Sequence, residues 1–595
     1  MMQLPAAVNP LSADQAQQFE SLLGSMTPLQ QAWVSGYLAA NAATAPAENP
    51  VAPPVAAAPF TILYGSQTGN AKHLAQDLAD RAKGRGFETQ LVDMADFKPA
   101  KIKNERFLAI VVSTYGEGEP PETAAKLHAF LGSKKAPRLE NTKIAVLGIG
   151  DTSYEHFCKT AVDFEDRLTA LGATIIAPRA LLDVDYDDHA EDWIAGTINA
   201  FEPELKAKAP AGNVVPISPG ITAKAPAQFS KKNPFSAEVL AVQKITGRDS
   251  TRDTRHVEIS LDGSGLQYQA GDALGVYFHN NSSEVDHILD LLQVEGSEHI
   301  EGREKTLRDT LIEDLELTQS YPGFVTAFAT ATGNAILQEL AKDAAELRAY
   351  LQDRQIFDII REHPAPISAD ALVGALRKMQ PRLYSIASSQ AEVEEEVHLT
   401  VGVVEYDAFD RNHLGGASGY LGRRLEEGDK IRVFVEQNNH FRLPDNPETP
   451  VIMIGPGTGI APFRAFLQDR DAAEADGKNW LFFGNPHFTQ DFLYQVELQD
   501  WLKSGLLSKL SVAFSRDQKE KIYVQHRIRE AGAEFWAWLE SGAHIYVCGD
   551  QERMAKDVHA ALIDVVQSHG GKSADEAEAY VEALRDAKRY QRDVY

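Results

Sequence analysis

Cysteine is almost missing from this chain: Cys158 and Cys548 are the only two among 595 residues, and they lie far apart. A zinc site or an iron–sulfur cluster needs several thiolates at short spacing, so neither is expected, and no disulfide framework is available. That usage fits a reducing compartment. Long apolar runs are missing too, since no stretch approaches the ~20 residues that span a bilayer. The first residues, MMQLPAAVNPLSADQAQQF, lack the basic stretch and apolar core of a secretory leader. Positive charge is scarce: 58 Lys and Arg against 85 Asp and Glu give a formal net charge of −27. This balance argues against nucleic-acid binding and favours partners that present a basic docking patch. The expectation is a soluble, cytoplasmic protein.

What is present is an ordinary globular composition, 44% hydrophobic and 24% charged, over a length that allows about four domains. Residues 11–40 carry apolar positions at mixed three- and four-residue spacing, then 41–59 are rich in Ala and Pro. Residues 1–58 therefore read as a helical oligomerisation or docking segment with a linker, a dispensable leader being the alternative. Over 59–205 the runs FTILYG, FLAIVVST, KIAVLGIG and TIIAPRAL alternate with helical stretches. Continuous apolar runs suit strands buried on both faces, hence a doubly wound parallel sheet. Residues 206–232 form a second linker, rich in Pro, Ala and Gly. Over 233–446, β-like alternation flanks a mostly helical insertion at about 283–378. Residues 447–595 return to strand–helix alternation (VIMIGPGTG, NWLFFGN, HIYVCGD), a second nucleotide-binding sheet. The fold class is multidomain α/β.

Three stretches have the chemistry of phosphate cradles. In LYGSQTGNAKHL a strand gives way to a helix through Ser66, Gln67, Thr68, Gly69, Asn70 and Ala71. Backbone N–H groups at a helix start, helped by hydroxyls, hold a phosphate without any cation. A P-loop is excluded, because no Lys follows the required Gly. Two further loops, STYGEGEPPE and GIGDTSYEHFC, fall after the next strands and offer the ring faces of Tyr115 and Tyr154. Either tyrosine alone is more often core filler. The second cradle combines PRLYSIASS, HLTVGVVEY and HLGGASGYL: Arg382 can clamp a pyrophosphate, Tyr384 offers a ring face, and small residues open a helix. In the third, VIMIGPGTGIAPF, Gly455, Gly457 and Gly459 let backbone approach a pyrophosphate. Downstream, Ser515, Arg516, Lys521 and Tyr523 supply the cations and hydroxyls that a 2′-phosphate wants, which selects NADPH over NADH.

The first set resembles the flavodoxin-type FMN domain, which implies FMN contacts from Ser66 to Ala71 and from Ser113, Thr114, Tyr115, Gly116, Gly150, Asp151, Tyr154, Phe157 and Cys158. The second resembles the FAD domain of ferredoxin–NADP reductases and implies Thr318, Arg382, Leu383, Tyr384, Ser385, Thr400, Val401, Gly402, Tyr406, Gly415, Gly416, Ala417 and Ser418. The third implies NADP contacts from Gly457, Thr458, Ser515, Arg516, Lys521, Tyr523, Gln525 and Asp557. In that order, over residues 60–595, the parts resemble the diflavin reductases. The resemblance implies hydride transfer from NADPH to FAD and single-electron transfer through FMN to a metal centre elsewhere. Ser385, Cys548 and Asp593 match the family's junction residues, and Tyr595 matches the aromatic that covers the FAD ring. Taken alone, Cys548 is equally a buried inert thiol and Asp593 a solvated acid.

The linked N-terminal segment, FFGNPHFTQDFLYQ and RYQRDVY are similar to the branch that serves bacterial sulfite reductase. That branch implies a separate haemoprotein subunit with sirohaem and an iron–sulfur cluster, sulfide production for cysteine synthesis, and octameric assembly. Some of its members lack an aromatic where Tyr115 stands. A soluble diflavin reductase for another haem or cobalamin partner, or a flavin-carrying scaffold without transfer activity, are the alternatives. Deleting residues 1–58 should reduce the oligomer while NADPH-driven dye reduction persists; an unchanged sedimentation coefficient per protomer mass would refute this role.

Overall fold

A computed structural model describes residues 58–206 and 229–595, with isolated positions 22, 26, 27, 30 and 34 ahead of them. The chain forms two compact units, Met1–Ala58 with Lys206–Val214, and Pro59–Leu205 with Val215–Tyr595. In the first, the Thr27 N–H and hydroxyl donate to Gln30 Oε1 at 2.8 and 3.0 Å, a helix-start pairing. Most of the expected helical segment and of both linkers lies outside the described residues. All that follows concerns the second unit.

Its first sheet is parallel, with strands β1 (Phe60–Gly65), β2 (Thr89–Asp93), β3 (Phe107–Ser113), β4 (Lys143–Ile149), β5 (Thr174–Ile175) and β6 (Ala180–Leu182). The order is β2-β1-β3-β4-β5, and β6 also pairs with β4. Helix α1 (Asn70–Gly84) buries Ala71, Leu74 and Leu78, and α3 (Lys159–Ala170), after α2 (Glu122–Leu131), buries Ala161, Phe164 and Leu168. Covering helices explain why β3 and β4 are apolar along nearly their whole length. TIIAPRAL, expected as one strand, is two. Pro178 lies between β5 and β6, and proline brings no N–H to a ladder. Helix α4 (Asp187–Lys206) closes this part.

The second sheet is antiparallel: β7 (Phe235–Lys244), β8 (Thr254–Ser260), β9 (Ala273–Tyr277), β10 (Arg382–Ser385), β11 (Glu396–Gly402) and β14 (Lys430–Glu436), with a separate hairpin of β12 (Glu405–Ala408) and β13 (Arg411–Leu414). The order β10-β9-β14-β7-β8-β11 closes into a barrel through the bridge Ile386↔Leu399. Between β9 and β10, helices from Ser282–Leu292 to Ala369–Ala375 form the expected insertion with a core of their own, in which Phe324 and Phe328 stack at 5.3 Å. The third sheet, β15 (Val451–Ile454), β16 (Asn479–Asn485), β17 (Lys509–Phe514), β18 (His544–Gly549) and β19 (Tyr590–Val594), is parallel in the order β17-β16-β15-β18-β19. No helix among the described residues is long and apolar enough to cross a membrane.

Three histidines are held neutral in this unit. Burial pushes His256 down to about 3, and His544 and His559 down to about 4, with nearby arginines adding to the effect. An unfolded histidine titrates near 6.5. Between that value and about 4, the unfolded chain therefore binds protons that the folded one refuses, and stability falls as pH falls. The melting temperature should drop by several degrees between pH 7 and pH 5. His559→Phe, which preserves the ring stacked on Tyr590, should reduce that drop; a variant with the same pH profile as the parent would contradict the assignment.

Candidate functional site: one cavity beneath three nucleotide loops

The loops after β1, β3 and β4 meet at the carboxyl edge of the first sheet. After β1 the chain turns through Ser66–Gly69 into α1. Gly69 has φ +82°, and a Cβ there would run into the Glu436 carboxylate, so only glycine fits. Ser66 Oγ and Ser153 Oγ are buried without a hydrogen-bond partner. Orphaned hydroxyls in these loops, that of Ser66 just ahead of a helix start, fit an anionic, oxygen-rich ligand. Tyr115 is tied through its N–H to Glu119 O at 2.9 Å, while Tyr154 is 47% exposed. Ser113 and Phe157 are half-buried beside them, with Ser113 Oγ 3.5 Å from Gly65 O. Gly116 turns the loop at φ +50°. Thr114 N–H donates to Ile149 O, Gly150 N–H donates to Leu182 O, and Asp151 Oδ1 accepts from Ser153 N–H. Cys158 lies beneath this loop. Its Sγ donates to Leu182 O at 3.6 Å, and burial pushes the thiol up to about 12.

A cavity of about 540 Å³ opens beside these loops. Its walls are Ser66–Gly69 from the first sheet, Arg382–Ser385 of β10, Thr400 and Gly402 of β11, Gly415–Ser418, Thr318, Thr458 and the stretch Asp593–Tyr595. The expected FAD residues are thus brought together, with two exceptions in placement. Val401 points into the barrel core, as the two-residue period of β11 requires when its neighbours face the cavity. Tyr406 lies away from the cavity wall, stacked on His413 at 4.7 Å with its hydroxyl donating to Asp353 O at 3.2 Å. Arg382 Nη2 reaches Gln319 Oε1 at 3.1 Å and Glu316 Oε2 at 3.4 Å, and Thr318 Oγ1 donates to Glu316 Oε1 at 2.6 Å. Gly416 packs so closely on Phe278 and Thr318 that a Cβ would clash with both.

The third group occupies the carboxyl edge of the last sheet. Gly457 and Thr458 begin the turn Gly457–Ile460 ahead of the helix Ala461–Ala472. Ser515 and Arg516 follow β17, pinned by backbone bonds to Asn485 O and Pro486 O at 3.0 and 2.9 Å. Lys521 is exposed, and Tyr523 beyond it is 42% exposed. Gln525 Nε2 donates to Asp557 Oδ2 at 2.9 Å. Asp517, the acid within this loop, is turned to His487 and to the Phe488 N–H, whose hydrogen bond lowers its pKa.

Where the loops meet, the Ser385 hydroxyl donates to Asp593 Oδ2 at 2.9 Å and Asn438 Nδ2 donates to Asp593 Oδ1 at 3.3 Å. Cys548 Sγ is 4.0 Å from the same carboxylate, because Cys548 and Asp593 are register partners across β18 and β19. Burial raises both the Asp593 carboxyl and the Cys548 thiol.

Sequence reasoning missed the residues that join the sheets. Arg377 Nη1 reaches Asp151 Oδ1 at 3.3 Å, and its Nη2 reaches Thr152 Oγ1 at 2.6 Å and Asp183 Oδ2 at 2.5 Å. His440 meets Asp93 at 2.9 Å, Arg592 meets Glu122 at 2.8 Å, and His73 meets Glu436 at 2.9 Å. Gln67 Nε2 donates to Val594 O at 3.0 Å. Gln67 and Asp151 were singled out only as FMN contacts, and nothing local marks Arg377, His440, Arg592, Glu122 or Glu436, each an ordinary polar side chain until the sheets come together.

Family models match in the same three places: flavodoxin over residues 62–195, a FAD binding domain over 227–420, and an oxidoreductase NAD-binding domain over 453–560. The sulfite reductase [NADPH] flavoprotein alpha-component of Aliivibrio fischeri is 50% identical over the whole of both chains. That of Vibrio parahaemolyticus is 49% identical over 99% of this chain and 96% of its own, and that of a Shewanella species is 50% identical over all of both. The chain belongs to this family. The resemblance drawn from the three cradles therefore holds for the family and for the order of its domains.

The charged seam of this alpha-component family member generates a structural expectation. Exposed ion pairs are screened within about 10 Å at moderate salt, and removing one partner of a buried pair leaves a charge uncompensated. Arg377→Ala at low salt, and the parent protein at high salt, should both show a larger radius of gyration in small-angle scattering. Equal radii under all conditions would show that the seam does not hold the parts together.

Proposed function

We propose that this chain takes electrons from NADPH and passes them through FAD and FMN to a separate haemoprotein subunit, which reduces sulfite to sulfide. The observation that carries the reading is the single cavity whose wall includes the Ser66–Gly69 loop, the Arg382–Ser385 strand and the Asp593–Tyr595 end. Residues of both expected flavin sites thus share one wall. When bound, the flavins supply the conversion of a two-electron donor into one-electron transfers.

The protein's part is binding and orientation. Ser66 to Ala71, Ser113 to Gly116 and the Gly150–Cys158 loop would hold FMN, where the unpartnered Ser66 and Ser153 hydroxyls fit its phosphate and polar edge. Arg382 to Ser385, Thr400, Gly402 and Gly415 to Ser418 would hold FAD, with backbone N–H groups at the start of Gly416–Gly419 available to its pyrophosphate. Ser515, Arg516, Lys521 and Tyr523 would read the 2′-phosphate of NADPH. At the junction, the Ser385 proton lies on the bond to Asp593, so the lone pairs of Ser385 Oγ remain to accept from the cavity side. Asn438 fixes the second carboxylate oxygen, which sets the plane of Asp593. Cys548 stays a neutral thiol, a packing and polarisable surface instead of a nucleophile. This intact junction speaks against a scaffold without transfer activity.

The relatives are named alpha-components of a reductase, which supports a partner subunit. We assign that role to a sirohaem and iron–sulfur protein in the cytoplasm, with the N-terminal segment building the oligomer. Mixing the anaerobic protein with NADPH should bleach the flavin absorbance, and adding the sirohaem protein should make NADPH oxidation depend on sulfite. No bleaching would end the enzyme reading, and no sulfite dependence would end the choice of partner. Asp593→Asn should slow flavin reduction on the order of 100-fold with FMN and FAD contents unchanged; a parental rate would remove Asp593 from the junction.

A further inference from the structure

The stretch FFGNPHFTQDFLYQ contributes nothing to the cavity wall, yet it clasps the loop that follows β17. Its turn is fixed from within. His487 N–H donates to Asp491 Oδ2 at 3.0 Å, Asn485 Nδ2 donates to Asp491 O at 2.6 Å, and the Phe488 ring meets Phe514 edge-on at 5.2 Å. Asn485 O and Pro486 O then accept the N–H groups of Ser515 and Arg516, and two further bonds reach the next residue. His487 Nδ1 lies 2.9 Å from Asp517 Oδ1, and Phe488 N–H donates to Asp517 Oδ2 at 2.8 Å. An ionised carboxylate only accepts, so Nδ1 carries the proton of the first bond. Both oxygens of Asp517 are thereby engaged by the turn. In the chain this acid stands beside Arg516, with Lys519 and Lys521 just beyond, all of them exposed. It is the nearest acid in sequence to the arginine, yet among the described residues no acid pairs with Arg516, Lys519 or Lys521.

We propose that His487 sets nucleotide specificity by holding Asp517 against the turn, which keeps Arg516 and the loop lysines free for a 2′-phosphate. His487 is a positioning residue in this role, acting through Asp517 and not through contact with the nucleotide. The inference rests on the NADPH reading and adds to it the residue that keeps the cations unpaired. Without the imidazole, the Phe488 N–H secures one carboxylate oxygen and the other turns to Arg516. The freed acid then competes with the phosphate for the same guanidinium and also repels it. Asparagine at position 487 places an amide N–H where the imidazole Nδ1–H stood, so it keeps the clasp, whereas alanine loses it.

Calorimetric titration of the holoprotein with 2′-phospho-ADP-ribose and ADP-ribose, which differ only in the 2′-phosphate, tests the clasp. The readout is the ratio of the two affinities. An exposed ion pair competes by a factor on the order of five. His487→Ala should lower the ratio by about that factor while ADP-ribose binds as it does to the parent, and His487→Asn should keep the parental ratio. Adding Asp517→Asn to His487→Ala should restore it, because the amide has no charge to set against Arg516. Adding Glu520→Gln, which removes the other acid of the loop, should not. Asp517→Asn alone should leave the ratio at or above the parental value. FMN and FAD contents and melting temperature should match the parent throughout. An unchanged ratio in His487→Ala, an equal loss for both ligands, or equal recovery with Glu520→Gln would overturn the role of His487. So would failure of Asp517→Asn to restore the ratio, or a lower ratio in Asp517→Asn alone. A parent protein that binds both ligands equally would instead strike the NADPH reading.

Discussion

Arg377 fixes how the flavodoxin-like sheet meets the rest of the molecule. Its side chain is almost fully buried, lies over the Tyr321 ring at 3.7 Å, and reaches three acceptors on two loops of the other sheet. Desolvating such a pair costs nearly as much as the attraction returns, so its main product is geometry: one orientation satisfies all three acceptors. Around it Arg592–Glu122 and Lys588–Asp96 also set an acid of the flavodoxin-like side against a cation of the other, while Lys126–Asp586 runs in the opposite sense. Exposed pairs of this kind contribute little each and weaken with salt. The seam is therefore specific without being strong. Such a seam can open at low cost, which an apolar interface would obstruct.

Strand β19 turns this seam into a junction. Its residues alternate in direction, as strand geometry demands. Arg592 reaches Glu122 of the flavodoxin-like part, Asp593 turns to Ser385 and Cys548, and Val594 offers its carbonyl to Gln67. Tyr595 then meets Thr458. Three nucleotide loops thus connect through four consecutive residues, and a one-residue slip in the pairing of β18 with β19 would exchange the acid for the cation at the cavity.

The phosphate loops were legible in the sequence because their chemistry is local. A helix start needs small or hydroxyl residues and a backbone free to turn, and SQTGN, GGASG and GPGTG state this within a few positions. The buried strands were legible for a similar reason, as unbroken apolar runs. Pairings across domains were not. Glu436 ends β14, Asn438 and His440 follow it as an unremarkable polar run, and only the closed barrel brings them to the cavity. The strand character of RYQRDVY was hidden as well, because Arg592 and Asp593 interrupt any apolar pattern and the parallel partner β18 supplies what propensity lacks. Val401 and Cys158 show a further limit. A motif names neighbours in sequence, whereas strand alternation and burial decide which of them face a ligand.

Charge explains why the cradles are built from glycine and hydroxyl groups. In a chain of net charge −27, cations near a flavin would be drawn to surrounding carboxylates, as Arg382 is to Glu316 and Arg377 is to Asp151 and Asp183. Backbone N–H groups carry no net charge to attract a distant carboxylate, and the Ser66 hydroxyl is left without a partner. Glu436 beside Gly69 is such a carboxylate, and it is engaged by His73 at 2.9 Å. Cations are instead left exposed where Arg516 and Lys521 stand, on a loop whose own acid, Asp517, is turned away toward His487. On the proposed reading, flavin phosphates would thus meet mainly dipoles with Arg382 beside them, and the 2′-phosphate of a nucleotide that binds and leaves would meet charge.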